Sequence, residues 1–437
     1  MPEKPFAERV ADREITIGVV GLGYVGLPLA VSYAESGFSC VGFDVDAERT
    51  ASLMQGHSHI DDVTDDRVAG MLAAGRFAAS ADPEALAAAD AIFICVPTPF
   101  DRAKTPDLSF VRMATHTVAG VLAPGKLVIL QSTTYPGTTT EICQPVLEEG
   151  GLRAGVDFHL AFSPERVDPG NTQWTVHNTP KVVGGVTPAC TDRARELLEA
   201  VMDDPGLVRV VSSTAAAEMA KLLENTYRAV NIALVNELAV IAREMEIDIW
   251  EVIDAAGTKP FGFQAFYPGI GPGGHCIPVD PYYLSWKARE FDFQTKFIEL
   301  AADTNLRMAK YVVGRVLEFL NRLQKTLAGA RVLCLGAAFK PGVSDIRNSR
   351  AIHVMELLET AGALVEYADP HVGELTLGTS VRKAVPMPEI AAVDVDLVLI
   401  LVAHPEWPTD DLLRLDVPVF DAVNALGIPG TPLRERL

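Results

Sequence analysis

The chain has 437 residues, 49% hydrophobic and 22% charged, a globular composition too long for one compact core, so two or three domains are expected. Its 57 acidic and 37 basic residues leave a formal net charge of -20. Such a surface repels phosphate backbones and anionic membranes, so neither nucleic acid nor membrane is an expected partner.

No apolar run approaches the roughly 20 residues of a spanning helix; the strongest covers residues 397–403. The opening MPEKPFAERVADRE is charged and has no apolar core of a signal peptide. The six cysteines (Cys40, Cys95, Cys143, Cys190, Cys276 and Cys334) form no CxxC pair. No His cluster stands at ligand spacing either. That argues against a disulfide framework or a metal site and for a reducing, cytoplasmic setting. Most of these thiols sit in apolar segments as small core residues, and Cys276 is the exception.

In chain order, residues 15–20, 39–43, 91–96 and 126–130 read as strands separated by helix-length segments, the rhythm of a parallel sheet. A further strand ends at Phe162 and residues 181–183 offer another. Residues 214–246 contain no Gly or Pro and read as one long helix, with helical sequence continuing past Thr258. A second long helical run is expected over residues 283–327. Their surplus apolar surface points to a dimer or higher homo-oligomer. Strands at 331–335, 364–367, 396–402 and 417–420, with a helix at 351–361, then repeat the α/β rhythm. The expected fold is α/β, two Rossmann-like doubly wound domains joined by a long-helix dimerisation domain, with boundaries 1–205, 206–325 and 326–437.

Gly21-Leu22-Gly23-Tyr24-Val25-Gly26 follows the first strand and opens a helix. The glycines permit a tight turn, close approach to a pyrophosphate and close strand–helix packing, while the helix N-terminus faces the phosphates. Asp44 closes the second strand at the offset of a carboxylate that accepts ribose hydroxyls. A carboxylate there repels a 2′-phosphate, which favours NAD over NADP; Arg49 stands nearby. Residues 96–99, with Thr98, and 132–138, with Thr133, leave further strand ends, where an open sheet gathers its ligands.

Gly273-Gly274-His275-Cys276-Ile277-Pro278-Val279-Asp280-Pro281 is the most informative loop. Its glycines let backbone approach a ligand, and Pro278 suits the first turn of a helix. Cys276 then lies near a helix N-terminus, which favours thiolate, and Asp280, four residues on, is placed to orient a water. Lys221 and Asn225 share one helix face; a lysine there stabilises a developing alkoxide. Glu165 stands just beyond a strand end as a base, a substrate anchor or a surface ion-pair partner. Residues 336–340 hold the fingerprint position of the last domain but lack its second and third glycines. Lys340 offers a phosphate a cation instead.

These segments occur in an order that resembles the UDP-glucose/GDP-mannose dehydrogenase family over essentially the whole chain. The matching stretches are residues 21–28, 96–99, 132–139, 163–166, 221–225, 273–281 and 339–347. The wordings SPERVDPGN and GPGGHCIPVDP are similar to its UDP-N-acetylhexosamine branch, above all to members acting on UDP-N-acetylglucosamine. The resemblance implies an NAD-dependent four-electron oxidation of a UDP-sugar at C6, serving surface polysaccharide supply. UDP-N-acetylglucosamine leads, ahead of UDP-N-acetylmannosamine and UDP-glucose. It implies Cys276 as covalent nucleophile, Asp280 and Thr133 on the hydrolytic water, Lys221 and Asn225 on the C6 oxygen, and Glu165 against the sugar. Phe339 and Lys340 then meet the UDP part, Arg166, Tyr267 and Gly274 add substrate contacts, and Arg347 reaches the cofactor side. The loop 261–269 covers the sugar and pyrophosphate.

Two positions depart from that pattern. Asp421-Ala422-Val423-Asn424 lacks an Arg that often follows the Asp, and Arg350 stands where Pro is common. Two rival readings are a single-oxidation 2- or 3-hydroxyacid dehydrogenase, which needs neither Cys276 nor a third domain, and a non-catalytic NAD sensor.

Overall fold

The computed structural model describes residues 4–101, 104–171, 173–427 and 431–437. They pack as two compact units, one of residues 1–224 with 282–293 and one of residues 225–281 with 294–437.

The first unit is built on eight strands: β1 Thr16–Val20, β2 Ser39–Phe43, β3 Phe77–Ser80, β4 Ala91–Ile94, β5 Leu127–Leu130, β6 His159–Phe162, β7 Lys181–Gly185 and β8 Val208–Val210. Their order is β3-β2-β1-β4-β5-β6-β7-β8, parallel throughout except for the β6–β7 pair. The first six follow the arrangement of a dinucleotide-binding sheet. Every residue of β4 and β5 is buried, as expected of parallel strands covered on both faces. The helices of this unit are α1 Phe6–Ala11, α2 Gly26–Glu35, α3 Ala47–Met54, α4 Asp65–Ala73, α5 Ser109–Gly120, α6 Gln144–Glu148 and α7 Pro188–Glu199. Helix α8, Thr214–Glu244, runs 31 residues and contributes its first third to this unit and the rest to the second.

The second unit repeats the plan with β9 Arg331–Leu335, β10 Leu364–Ala368, β13 Leu397–Ile400, β14 Val419–Asp421 and β15 Arg434–Arg436, in the order β10-β9-β13-β14-β15. All four pairs are parallel. A hairpin, β11 Glu374–Leu377 with β12 Ser380–Lys383, lies apart from that sheet. Side chains alternate between two cores, as a period of two demands. Val332, Cys334, Leu397 and Leu399 join one cluster, while Leu333, Leu335, Val398 and Ile400 join the other. The remaining helices are α9 Ile249–Gly257, α10 Asp280–Ala288, α11 Lys296–Arg322, α12 Arg350–Thr360 and α13 Thr409–Arg414.

Three expectations from sequence need correction. Helical sequence does not continue past Thr258: α9 stops at Gly257, and Pro260 and Gly262 follow in a stretch with no helix among the described residues up to Val279. The run expected over 283–327 is two helices, α10 and α11, separated at Asp292, whose φ of 54° is left-handed and cannot propagate a right-handed helix. Pro278 lies in the turn ahead of α10 rather than in its first turn. Strands β3 and β8 were not expected, FAAS being Ala-rich and VRV only three residues long.

Candidate active site

The turn after β1 is shaped by its glycines. Gly21 has φ 89° and its N–H donates to the Phe43 carbonyl at 2.8 Å. A side chain on Gly26 would overlap the Gly21 carbonyl oxygen. At Gly23, by contrast, a Cβ would meet no protein atom within 4 Å, so the loop presents bare backbone to open space, the room a pyrophosphate needs. Tyr24 beside it is exposed and Val25 half-buried. Asp44 is buried at the end of β2, its Oδ2 accepting from the Leu22 N–H (2.8 Å) and from Arg49 (2.9 Å). Asp46 lies 3.5 Å from the same guanidinium. Two carboxylates thus attend Arg49, which leaves the position unsuited to a 2′-phosphate. The residues present fit NAD.

The next two loops are tied together. The Ser132 hydroxyl donates to the Val96 carbonyl (2.8 Å) and accepts from the Val96 N–H (2.9 Å). Thr98 is buried and its carbonyl accepts from the Tyr283 hydroxyl at 2.8 Å. Thr133 is half-buried.

Glu165 follows β6 and is half-buried. Its Oε2 accepts from Gln131 Nε2 (2.6 Å) and its Oε1 from the N–H groups of Arg166 (2.8 Å) and Val167 (2.9 Å). Burial alone pushes this carboxyl up, but Lys181, those amides and Lys221 outweigh it and hold it below the usual carboxylate range. The Glu165 carbonyl accepts from Lys221 Nζ at 2.6 Å, so the structure brings Lys221 and Glu165 together. Arg166 is turned to Glu224, 2.7 Å away.

In the second unit Asn225 and Asp280, both buried, meet through Nδ2 and Oδ2 at 2.6 Å. The Asp280 N–H donates to the Cys276 carbonyl at 2.8 Å, a helical bond that closes one turn ahead of α10. Pro281 has no N–H to make the next such bond to Ile277, which is why α10 begins only at Asp280. Cys276 therefore sits one turn before the helix. It is exposed, whereas the other five cysteines are buried.

Gly274, with φ 83°, donates its N–H to the Arg347 carbonyl at 3.1 Å, and a Cβ on it would strike the Phe339 ring at 2.9 Å. Lys340 Nζ lies 5.9 Å from the centre of that ring. The segment 339–349 thus packs on the glycines ahead of Cys276. Two other expected contacts are engaged by close neighbours: Asp345 clasps the Arg347 guanidinium at 2.6 Å, while Tyr267 stacks on Trp250 and donates to Asp254 at 2.7 Å. Arg436 donates to Asn424 at 2.9 Å, which brings a guanidinium from β15 to the stretch where sequence showed none.

Sequence reading passed over Glu218, Gln131, Asp369 and His404. Glu218 is completely buried and accepts from the Gly137 N–H (2.6 Å), the Thr139 N–H (2.9 Å) and the Thr139 hydroxyl (2.7 Å). Among the described residues, His371, His404 and Glu406 place three ligand atoms within 4.8 Å of one another. His404 Nδ1, however, accepts from the Gly342 N–H (3.2 Å) and Nε2 faces Asp369 (3.2 Å). Both ring nitrogens are engaged, which makes this a hydrogen-bonded lock.

A glycine turn open at Gly23, with a buried acid at the end of β2, fits the cofactor of a nicotinamide-dependent dehydrogenase. Three family models match in chain order. They are the NAD binding domain (residues 15–202), central domain (215–307) and UDP binding domain (333–427) of the UDP-glucose/GDP-mannose dehydrogenase family. The chain is 40% identical to Protein CapL of Staphylococcus aureus, with 81% of each covered. It is 38% identical to UDP-N-acetyl-D-glucosamine 6-dehydrogenase of Pseudomonas aeruginosa, covering 82% of this chain and 84% of that one. The solved UDP-D-ManNAc dehydrogenase of Pyrococcus horikoshii superposes with a TM-score of 0.86 at 32% identity, over 97% of this chain and 99% of that one. The chain belongs to the UDP-glucose/GDP-mannose dehydrogenase family and is an NAD-dependent enzyme.

Proposed function

We propose that the protein oxidises the C6 hydroxymethyl of a UDP-sugar, UDP-N-acetylglucosamine first, to the uronic acid through a thioester on Cys276. The observation that carries this reading is the buried Asn225–Asp280 contact directly after an exposed thiol, a pairing that a single oxidation does not require. Bound NAD accepts the hydride released at each oxidation. Lys221 and Asn225 hold the C6 oxygen as the alcohol loses its proton and becomes an aldehyde. The Cys276 sulfur then bonds to C6 and the carbonyl oxygen takes a proton, giving a thiohemiacetal. Loss of a second hydride and a proton leaves the thioester. Water held by Asp280 and Thr133 attacks it, the C–S bond breaks, and the thiolate leaves with the acid released.

Glu165 and Arg166 contribute to the sugar site, with Tyr267, Gly274, Phe339 and Lys340 completing the substrate contacts. Gly21, Gly23, Tyr24, Val25, Gly26, Asp44, Arg49, Thr98, Thr133 and Arg347 serve the cofactor. The reading includes the three-domain division at 205 and 325, a cytoplasmic setting and a role in surface polysaccharide supply. It also includes a homodimer formed on α8, which exposes Leu234, Leu238 and Ile241. UDP-N-acetylmannosamine is the second reading, favoured by the Pyrococcus horikoshii structure.

Counting NADH released per UDP-sugar tests both points. Two per molecule are expected, fastest with UDP-N-acetylglucosamine; a single NADH would return the enzyme to the one-step hydroxyacid class. Cys276→Ser is expected to lose steady-state turnover by at least 100-fold, about 3 kcal/mol of barrier, while still binding NAD in a fluorescence titration. Full two-step turnover by that variant overturns the thioester.

A further inference from the structure

The loop that carries Thr133 is pinned at both ends. At its start Ser132 is bonded to Val96 in both directions. At its far end a helical segment begins at Thr139, and the first N–H groups of any helix lack partners within it. A local side chain usually fills that need, yet Thr138 makes no cap here and turns its hydroxyl back to the Tyr135 carbonyl. The cap comes instead from Glu218, 79 residues along the chain on α8, through three hydrogen bonds of 2.6–2.9 Å. Burial pushes its carboxyl above the ordinary range, against the pull of the Thr139 and Gly137 donors. A buried carboxylate is an expensive cap where a serine would serve locally. What it adds is position, because Glu218 precedes Lys221 by three residues and lies on the same face of the helix.

We propose that Glu218 is a positioning residue that fixes the Thr133 loop to the Lys221 face of α8 and thereby sets the rate of thioester hydrolysis. This rests on the function proposed above. Glu218 does not touch the reacting atoms; it acts through the loop. Of the chemical steps Thr133 enters hydrolysis only, its other contact being with the cofactor, so loosening the tether slows water attack more than it slows either oxidation, and an acyl group collects on Cys276.

The test compares wild type with Glu218→Gln, which keeps the volume but opposes an amide N–H to that of Gly137. The expected result is a rapid burst of NADH followed by a steady state about tenfold slower, the loss of one charged hydrogen bond. The kcat/KM for the UDP-sugar stays within about twofold, because the slowed step follows acylation, and intact-mass measurement of the quenched enzyme shows the added uronyl group. Thr139→Val attacks the same tether from the loop side and reproduces the burst, and Thr139→Ser, which keeps the hydroxyl, recovers at least part of the loss. A slow steady state with no covalent species, a raised KM at unchanged kcat, or Thr139→Ser no better than Thr139→Val each overturns the proposal. One NADH per sugar from wild type overturns the function reading and this role together. Two from wild type without acyl-enzyme in Glu218→Gln overturns the tether alone.

Discussion

At the end of β2, Asp44 accepts from the Leu22 N–H of the glycine turn and from Arg49, and Gly23 between them faces open space. At the matching end of β10, Asp369 accepts from four backbone N–H groups: Ala337 at 2.7 Å, Ala338 at 3.1 Å, His371 at 2.8 Å and Val372 at 3.0 Å. His404 closes over it at 3.2 Å. Both halves begin their turn alike, with Gly21 and Gly336 at φ 89° and 100° donating to the neighbouring strand. They diverge two residues later: the Leu22 and Ala337 N–H groups both go to the acid, at 2.8 and 2.7 Å, but Gly23 faces open space where Ala338 donates to Asp369. The first half leaves its third turn residue open; the second spends that amide on its own carboxylate. Equivalent strands and an equivalent acid therefore make an open turn in one unit and a rigid floor in the other, where under the proposed function phosphate recognition passes to side chains such as Lys340.

The comparison breaks hardest at Gly336. A Cβ there would run into the Val402 side chain, and the backbone is left-handed, so Gly336→Ala should cost about 3–5 kcal/mol from strain and overpacking together. Urea denaturation followed by circular dichroism reads this directly, and a loss under 1 kcal/mol would remove the rigid-floor description.

Asp369→Asn comes next, at about 3 kcal/mol for charged hydrogen bonds to buried amides. Burial pushes the Asp369 carboxyl up, but His404 and the amides of Ala337 and His371 prevail and hold it below its ordinary value. A carboxyl with a depressed native pKa stabilises the fold above its unfolded pKa, and that stability is lost as pH falls through the native one. Melting temperatures of the wild type should thus drop below about pH 4 more steeply than those of Asp369→Asn; parallel curves would show that the carboxylate contributes nothing.

Gly23→Ala should give the smallest change in stability, within about 0.5 kcal/mol, because nothing in the protein opposes the methyl. NAD affinity should nevertheless fall about tenfold, since the methyl occupies the approach to the pyrophosphate. Unaltered binding in a fluorescence titration would deny the first half its open cradle.

Most of the fold was legible because its signals are local. Gly21, Gly23 and Gly26 announce a turn within six residues, and β4 and β5 are unbroken apolar runs. The boundary at Asp292 was not legible. REFDFQTK contains neither Gly nor Pro, and its left-handed residue is one that sequence pattern does not forbid. The site divides the same way. Cys276 and Asp280 are four apart and stand out, as do Lys221 and Asn225. Glu218 in an Ala-rich helix reads as a solvated acid, and the loop that buries it lies 79 residues away. Asp369 and His404 lie 35 residues apart on separate strand ends, a pairing created only when β9 comes to lie between β10 and β13.

The distribution of sulfur has a practical consequence. Burial pushes the Cys40 and Cys143 thiols up to about 12 and those of Cys95 and Cys334 higher still. Cys190 is buried too, and Cys276 alone is exposed. A native chain should therefore consume one equivalent of iodoacetamide and then stop, and under the proposed chemistry that alkylation counts active sites. Under that chemistry the same asymmetry makes the enzyme vulnerable: an oxidant or electrophile too dilute to harm the fold would silence it at a single atom.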